Sequence, residues 1–460
     1  MLIILVIFLL NFPLIESLVE LPERARGGLA YKKQKEQLLK TSGDDVCITK
    51  TYQQQVDHFS SKNTDTFDQR YFVVDKYYKP NAPVFLYIGG EGTASCPSGY
   101  VTYLAEQEVY SALVVTLEHR FYGESIPNGN SYTANLKHLS VQNALADLNT
   151  FTKFFLAERN MTTDTKVFVF GGSYPGALAS WYRISYPEAS VGSLASSGVV
   201  NTIADYPQFD EAVSAAVGNS CADRIRDVSK AYEDNKLSDN LKMFNCETDM
   251  SEQDFYYMIA DSWSMAVQYS SKSSLCSALL DLPNDVSNDI LMNTFADFSK
   301  SYWGEDFCNG GFYNTKALSD PKRWDVNSRS WRWQTCYQVG WFNTAPKSGS
   351  LRSSSVNMEY HLNQCAEVFG YPMYPDIKGM VKEFGGEYPT AHNTFYSDFS
   401  DDPWAKVSVQ YPVSSDQPYK LAMANDLGHC SDLHEPSDDD VQALKDERLE
   451  FEVYLKKWLA

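Results

Sequence analysis

Ser173 is the residue in this sequence best placed to act as a nucleophile. It follows an apolar run and lies among small residues in Gly-Gly-Ser-Tyr-Pro-Gly (171–176). This pattern predicts a strand, a sharp turn and a helix start, which together expose the hydroxyl and direct free helix N–H groups towards it. The G-x-S-x-G motif is imperfect because Pro175 takes the place of the second glycine. The chain must therefore also supply an acid and a base.

A serine hydroxyl becomes a good nucleophile only when a histidine takes its proton and a carboxylate orients that histidine. Among the seven histidines, His429 and His434 lie in a late loop after a short predicted strand. Asp401 and Asp402 precede them after another strand, and Asp398 fits more loosely. The order serine, aspartate, histidine is that of α/β-hydrolases. The residues alone leave both histidines and all three aspartates open.

The negative charge that develops on an attacked carbonyl needs two backbone N–H donors. We expect Tyr174, the residue after the serine, to supply one, and Glu91 in the Gly-rich loop 89–92 to supply the other. This chemistry requires no cofactor. The cysteines form no C-x-x-C pair, so we expect no metal site.

The elements that must position these residues alternate between strand and helix. Apolar runs predict strands at 66–74, 83–88, 113–117, 166–170, 191–197, 393–399 and 419–423. Ser140 can cap a helix, a second helix should end at Tyr186-Pro187, and Ser437 can cap the last one. The alternation predicts an α/β fold with a mostly parallel sheet buried on both faces.

The character of the chain changes after residue 200, where helical segments and scattered cysteines replace strands. We therefore predict an α/β-hydrolase core in two parts, residues 45–200 and 391–460, with a mainly helical cap domain at 201–390. An aromatic cluster in the predicted cap is more typical of packing than of a binding site. Its members are Trp324, Trp331, Trp333, Tyr337, Trp341 and Phe342.

The first residues indicate export. Residues 1–17 are mostly apolar and have the size of a cleaved signal peptide, and the polar segment 18–44 reads as a leader or propeptide. Nine cysteines in an exported chain predict disulfides, with at least one cysteine left over. The sequon at Asn160 predicts glycosylation. We expect a protein of the secretory pathway, either secreted or lysosomal.

Charge and hydropathy limit the partners. With 39 Lys and Arg against 59 Asp and Glu, the net charge is −20, which argues against nucleic acids and anionic membranes. Beyond residue 17 no stretch is long and apolar enough for stable membrane insertion. We expect peptides as substrates, and the sequence leaves a homodimer open.

Several motifs together resemble one peptidase family. In chain order they are Gln-Val-Asp-His-Phe (55–59), Thr-Phe-Asp-Gln-Arg-Tyr (66–71), Gly-Glu-Gly (90–92), Glu-His-Arg-Phe-Tyr-Gly-Glu-Ser (118–125), Gly-Gly-Ser-Tyr-Pro-Gly (171–176) and Asp-Pro-Trp (402–404). From about Cys47 onwards the chain resembles the family of lysosomal prolyl carboxypeptidase, dipeptidyl peptidase II and thymus-specific serine protease. Gly-Gly-Ser-Tyr-Pro-Gly looks most like the thymus-specific branch.

The resemblance implies specific roles. It implies an α/β-hydrolase with a helical cap that cleaves beside proline-like residues, with Ser173 as nucleophile, Asp402 as acid and His429 as base. It implies that Trp404 lines the proline pocket and that Cys336 and Cys365 form a disulfide. The family has a carboxylate where this chain has Gln338, and such a carboxylate could bind a substrate ammonium group.

The predicted activity is therefore that of a serine exopeptidase, either dipeptidyl-peptidase or carboxypeptidase, acting through an acyl-enzyme. Two other functions fit the same elements less well. A lipase or esterase shares the serine turn and the triad, and a catalytically silent hydrolase fold can serve as a binding module.

Overall fold

The computed structural model describes residues 47–162, 164–247, 249–322 and 326–460. The predicted signal peptide and leader, and Trp324, lie outside these residues. The strands are β1 Ile48–Gln55, β2 Thr66–Val74, β3 Val84–Ile88, β4 Leu113–Leu117, β5 Val167–Gly172, β6 Gly192–Ser196, β7 Ile203–Asp205, β8 Gly340–Phe342, β9 Thr394–Phe399 and β10 Tyr419–Ala422.

The helices fall into two groups by position in the chain. Those before β6 or after β10 are α1 Tyr100–Glu106, α2 Thr133–Leu136, α3 Val141–Glu158, α4 Tyr174–Ser185 and α15 Gln442–Leu459. Those between β6 and β9 are α5 Gln208–Val217, α6 Asn219–Asp234, α7 Leu237–Met243, α8 Glu252–Gln268, α9 Lys272–Leu280, α10 Asn288–Trp303, α11 Thr315–Leu318, α12 Val326–Gln334, α13 Met358–Phe369 and α14 Ile377–Phe384.

Eight strands form one sheet in the order β1-β2-β4-β3-β5-β6-β9-β10. Strand β2 pairs antiparallel with both β1 and β4, whereas all the remaining pairs are parallel. This order, with a crossover at β3 and β4 and a long helical excursion between β6 and β9, makes the protein an α/β-hydrolase with a helical cap. The exact cap limits, 201 and 390, stay a prediction.

The sheet is buried on both faces because successive residues of a strand point to opposite sides. Phe168 of β5 packs with Phe451 of α15, with ring centroids 5.9 Å apart. Its neighbour Val169 belongs to the other core cluster, which includes Phe151 of α3 and Trp181 of α4. The apolar runs in the sequence are continuous for this reason, and the carboxyl ends of the parallel strands meet at one edge.

Several predicted boundaries agree with the structure, and one is wrong. Ser140 caps α3 by accepting a hydrogen bond from the Asn143 N–H at 3.2 Å. The last helix begins at Gln442 and not at Ser437. The Ser437 N–H instead donates to the Asp440 side chain at 2.9 Å, which makes this acidic segment a turn.

Disulfides reinforce both parts of the fold. Cys47 is bonded to Cys96 in the core, whereas Cys221 is bonded to Cys276, Cys246 to Cys308 and Cys336 to Cys365 among the segments between β6 and β9. Cys430 is free. In the described residues, no helix is sufficiently long and apolar to span a bilayer.

Candidate active site

Ser173 occupies a tight turn between β5 and α4. Its backbone has φ 64° and ψ −128°, a conformation that is costly for a residue with a side chain. A Cβ on Gly171 would lie 2.0 Å from the Pro175 carbonyl oxygen, so the turn needs glycine there. The Ser173 N–H donates to the Ser196 carbonyl of β6 at 2.9 Å. The turn is therefore held by the neighbouring strand and raises the serine at the end of the sheet.

The loop after β3 packs directly on this turn. A Cβ on Gly90 would lie 2.7 Å from Cγ of Pro175, so the loop approaches the turn as closely as a glycine allows. Glu91, the next residue, lines the same cleft as Ser173 and Tyr174. Tyr174 is the first residue of α4, where backbone N–H groups lack acceptors within the helix. Glu91 and Tyr174 thus line the same cleft as the serine, and their roles as oxyanion donors stay a prediction.

His429 and Asp402 are brought into contact from two different loops. Nδ1 of His429 donates to Oδ2 of Asp402 at 2.7 Å, and the other carboxylate oxygen accepts the Trp404 N–H at 2.9 Å. Both side chains are buried. Nε2 of His429 has no hydrogen-bond partner within the described part of the chain. A histidine held in this tautomer has its second nitrogen available to accept a proton.

The other candidates from the sequence occupy different environments. Asp401 forms a salt bridge at 2.8 Å with Lys272 of α9. Asp398 is buried near Asp402, with Oδ1 unpaired among the described residues. His434 is exposed, and its backbone carbonyl accepts from Arg448 at 2.7 Å. Among the histidines and aspartates that the sequence left open, His429 and Asp402 are the two that are hydrogen-bonded to each other.

Burial and charge set the protonation of this pair and its neighbour. Burial by itself lowers the pKa of His429, but the adjacent Asp402 carboxylate raises that pKa well above its usual 6.5. Burial, reinforced by the charge of Asp402, raises the pKa of Asp398 well above its usual 3.8. Asp398 therefore keeps its proton to a higher pH than an exposed aspartate does.

A cleft of about 120 Å³ opens at Ser173 between the core and the cap. Trp404 lines it, 4.9 Å from Phe209 and 6.4 Å from Trp341 between ring centroids. The Trp404 indole N–H donates to Oε1 of Gln268 at 3.0 Å, which fixes the ring. Trp331 also lines the cleft, 5.6 Å from the Tyr174 ring. Trp331 and Trp341 of the aromatic cluster thus line the cleft and also pack with the hydrophobic core.

Several polar residues of the cleft were not singled out from the sequence. Asp261 and Gln268 of α8 and Arg332 of α12 line it. The α8 residues share a spacing that could have been noticed in the sequence: Tyr257, Asp261, Met265 and Gln268 lie on one face of the helix. A helix face that mixes polar and apolar residues is common in sequences, so this pattern becomes informative only when the structure shows that the face lines the cleft.

Gln338 lies elsewhere. Its Oε1 accepts the Val141 N–H at 2.9 Å at the start of α3, and its Nε2 donates to Gln142 at 2.8 Å. The residue is an anchor between the cap and the core. The identity of residue 338 therefore says nothing about ammonium binding in this chain.

The Glu-His-Arg motif after β4 takes part in a buried hydrogen-bond network next to Tyr174. Arg120 donates to both oxygens of Asp147, at 2.5 and 2.6 Å, and His58 contacts the same carboxylate at 2.7 Å. Nδ1 of His119 donates to the Arg120 carbonyl at 2.8 Å, so Nε2 accepts the Tyr174 hydroxyl at 3.1 Å. Burial lowers the pKa of His119 to about 4, which keeps this ring neutral. His119 therefore helps to position the Tyr174 side chain.

Comparison with known proteins places this site in a family. The family model described as serine carboxypeptidase S28 matches residues 54–450. The chain belongs to the serine carboxypeptidase S28 family. It is therefore a serine peptidase, and its substrates are peptides. Within the described residues, no cluster of His, Cys, Asp and Glu is arranged to hold a metal ion.

Individual relatives agree with this assignment. A probable serine protease of Arabidopsis thaliana is 33% identical over 83% of this chain and 80% of its own. The human thymus-specific serine protease is 26% identical over 88% of this chain and 86% of its own. The human lysosomal Pro-X carboxypeptidase is 27% identical over 79% of each chain. The similarity to S28 peptidases thus extends over both parts of the core and the cap.

Proposed function

We propose that this S28 peptidase is an exopeptidase that hydrolyses peptide bonds next to proline-like residues, with Ser173 as nucleophile, His429 as base and Asp402 as acid. The observation that carries the proposal is the 2.7 Å hydrogen bond between His429 Nδ1 and Asp402 Oδ2. His429 lies 6.4 Å from Trp404 between ring centroids, and Trp404 lines the same cleft as Ser173.

The proposed reaction proceeds through an acyl-enzyme. Oγ of Ser173 attacks the peptide carbonyl carbon while its proton passes to Nε2 of His429. The N–H groups of Tyr174 and Glu91 stabilise the resulting oxyanion. His429 then protonates the leaving nitrogen, and the C–N bond breaks. A water molecule then gives a proton to His429 while its hydroxyl adds to the acyl carbon; the ester bond to Oγ breaks, and His429 returns the proton to Ser173.

The proposed preference for proline is based on how the Trp404 side chain is held in the wall of the cleft. Its indole is fixed by Gln268 and packed against Phe209, so it presents a rigid flat surface. A rigid ring on the substrate loses little conformational entropy when it packs against such a surface. Flexible side chains of similar size lose more.

The proposed location is the secretory pathway, with the mature protein secreted or lysosomal. Four disulfides in the described residues fit an oxidising compartment. The relatives include a lysosomal peptidase. Asn160 lies exposed in the turn after α3, where a glycan could attach without disturbing the core. A homodimer stays a prediction.

Replacement of Ser173 tests the proposal. Ser173→Ala should fold normally and lose at least about a thousandfold in kcat on a Pro-X peptide. A fluorophosphonate probe should label the wild-type protein and not the variant. Unchanged peptide hydrolysis by the variant would overturn the proposed nucleophile. An unlabelled wild type without activity would indicate a silent binding module, and cleavage of acyl esters alone would indicate an esterase.

A further inference from the structure

One face of α8 runs from the candidate triad into the cleft. The backbone carbonyl of Gln268, the last residue of this helix, accepts the His429 N–H at 2.7 Å, and its side chain accepts the Trp404 indole N–H at 3.0 Å. Asp261 lies on the same helix and lines the same cleft. The helix therefore holds Asp261 at a set distance from the base and from Trp404.

The Asp261 carboxylate has an oxygen without a partner. The residue is 8% exposed, and its Oδ1 is buried with no hydrogen bond to the described residues. A buried acceptor without a donor costs free energy, which a ligand that supplies a donor would recover. The flanking residues on this face, Tyr257 and Met265, offer an aromatic ring and a thioether beside it. The Asp261 carboxylate thus lies between an aromatic ring and a thioether in the wall of the cleft.

The distance between Asp261 and Gln268 along α8 indicates which part of a bound substrate Asp261 would contact. Asp261 and Gln268 are seven residues apart, or about 10 Å along the helix axis. An extended peptide advances about 3.3 Å per residue. If Trp404 packs against the residue before the cleaved bond, Asp261 lies within two to three residues of that position along an extended substrate.

We propose that Asp261 binds an ammonium group of the substrate on the acyl side of the cleaved bond. This inference rests on the proposed function, because it uses Trp404 as the pocket for the proline-like residue. Two sources share this chemistry: the free α-amine of a short peptide and the side chain of a lysine just before the proline. The negative charge and the unpaired oxygen favour a cation that donates hydrogen bonds.

Arg332 is the other charged cleft residue that has an unpaired atom, its Nε, in the described chain. Its Nη2 already donates to Nδ1 and the carbonyl of His361, at 3.2 and 3.1 Å, and its guanidinium stacks 5.1 Å from the Phe342 ring. These contacts hold the side chain in the cap. Asp261 is therefore the stronger candidate for a substrate contact.

Asp261 also titrates in a useful range. Burial raises its pKa to about 6, against the opposing effects of the Arg352 charge and the Tyr313 hydroxyl. Tyr257 faces the same carboxylate, and burial raises its pKa so that it remains neutral. Ammonium binding needs the ionised carboxylate. The preference for ammonium substrates should therefore increase as the pH rises through about 6 and vanish below it.

The test compares three peptides with the same Pro-Phe bond: Ala-Pro-Phe with a free amine, acetyl-Ala-Pro-Phe and acetyl-Lys-Pro-Phe. At pH 7 the wild type should have a higher kcat/KM on one or both ammonium peptides than on the neutral one. Asp261→Asn should reduce that ratio by roughly tenfold to a hundredfold. The ammonium peptide that loses its advantage identifies the source. Glu252→Gln, which removes an exposed charge at the start of α8, is the matched control and should keep the wild-type ratio.

Each outcome has a distinct meaning. An equal ratio for wild type and Asp261→Asn, or no preference for either ammonium peptide, overturns the role of Asp261 while leaving the peptidase intact. If the wild type cleaves none of the three peptides, the proposed function is contradicted instead. If Asp261→Asn does not fold, the pH dependence of the wild-type ratio decides: a ratio that is constant between pH 5 and 7.5 overturns the proposal.

Discussion

The backbone N–H of His429 donates to the backbone carbonyl of Gln268 at 2.7 Å. The candidate base belongs to a loop of the core, whereas Gln268 ends a helix between β6 and β9. The position of the imidazole therefore depends on how those helices sit against the core. A Cβ on the preceding residue, Gly428, would lie 2.2 Å from the same carbonyl oxygen.

Gly428→Ala should consequently separate the His429 loop from α8. We expect a folded protein with kcat lowered by at least about tenfold, because a small misplacement of a catalytic group is costly. Steady-state kinetics on a Pro-X peptide measures this. Gly310→Ala is the control, since its nearest contact would be an ordinary 3.4 Å. Equal activity of the two variants would contradict the proposed coupling.

Asp402 and Asp398 offer a matched pair of substitutions. Asp402→Asn removes the charge that orients His429, so kcat should fall by about a thousandfold or more. The pKa of His429 should fall as well, and the acidic limb of the pH–rate profile should move to lower pH. Burial raises the pKa of Asp398 well above its usual 3.8, so this carboxyl keeps its proton to a higher pH. Asp398→Asn should therefore change kcat by less than Asp402→Asn, and a comparable loss would show that Asp398 and not Asp402 is the working carboxylate.

The close approach of Gly90 to Pro175 predicts that a second substitution, at Pro175, restores activity lost in Gly90→Ala. Gly90→Ala places a methyl group 2.7 Å from the proline ring, which should push the loop away and weaken one oxyanion donor. We expect a loss of roughly tenfold to a thousandfold in kcat with little change in KM. Adding Pro175→Gly removes the ring and should restore part of the rate. A double variant no better than Gly90→Ala would disprove this cause.

Glu447 of α15 should make the protein more stable in acid. It is buried, and both carboxyl oxygens lack partners in the described part of the chain. Burial, with the nearby charge of Asp432, raises its pKa well above the usual 4.5, against the effect of Arg448. The folded state thus retains a proton that the unfolded state releases. The free energy of unfolding should fall by up to about 1.4 kcal/mol per pH unit above 4.5.

Urea unfolding at pH 5 and pH 7 measures this dependence. Glu447→Gln should reduce the loss of stability between the two pH values and should be more stable than the wild type at pH 7. Asp446→Asn changes an exposed acid one residue earlier and serves as the control. If both variants keep the wild-type slope, Glu447 is not the group that titrates.

The parts of the fold that could be predicted are those that local patterns dictate. Strand β4 was predicted at its observed limits, because four apolar residues and one threonine between polar loops have one interpretation in a buried sheet. Strand β1 was missed, since its polar residues at the exposed edge show no such run. The last helix was placed too early because the acidic residues after Ser437 fit a first turn as well as they fit a loop.

The sequence by itself determined the family, the fold class and the order of the three candidate catalytic residues. These depend on short motifs, in which neighbours along the chain are neighbours in space. Only the tertiary structure decided that His429 contacts Asp402 while Asp401 pairs with Lys272. The tertiary structure alone shows that Asp261 lines the cleft and that Gln338 does not. Such contacts depend on how helices separated by tens of residues pack against the sheet, and local sequence patterns do not encode that packing.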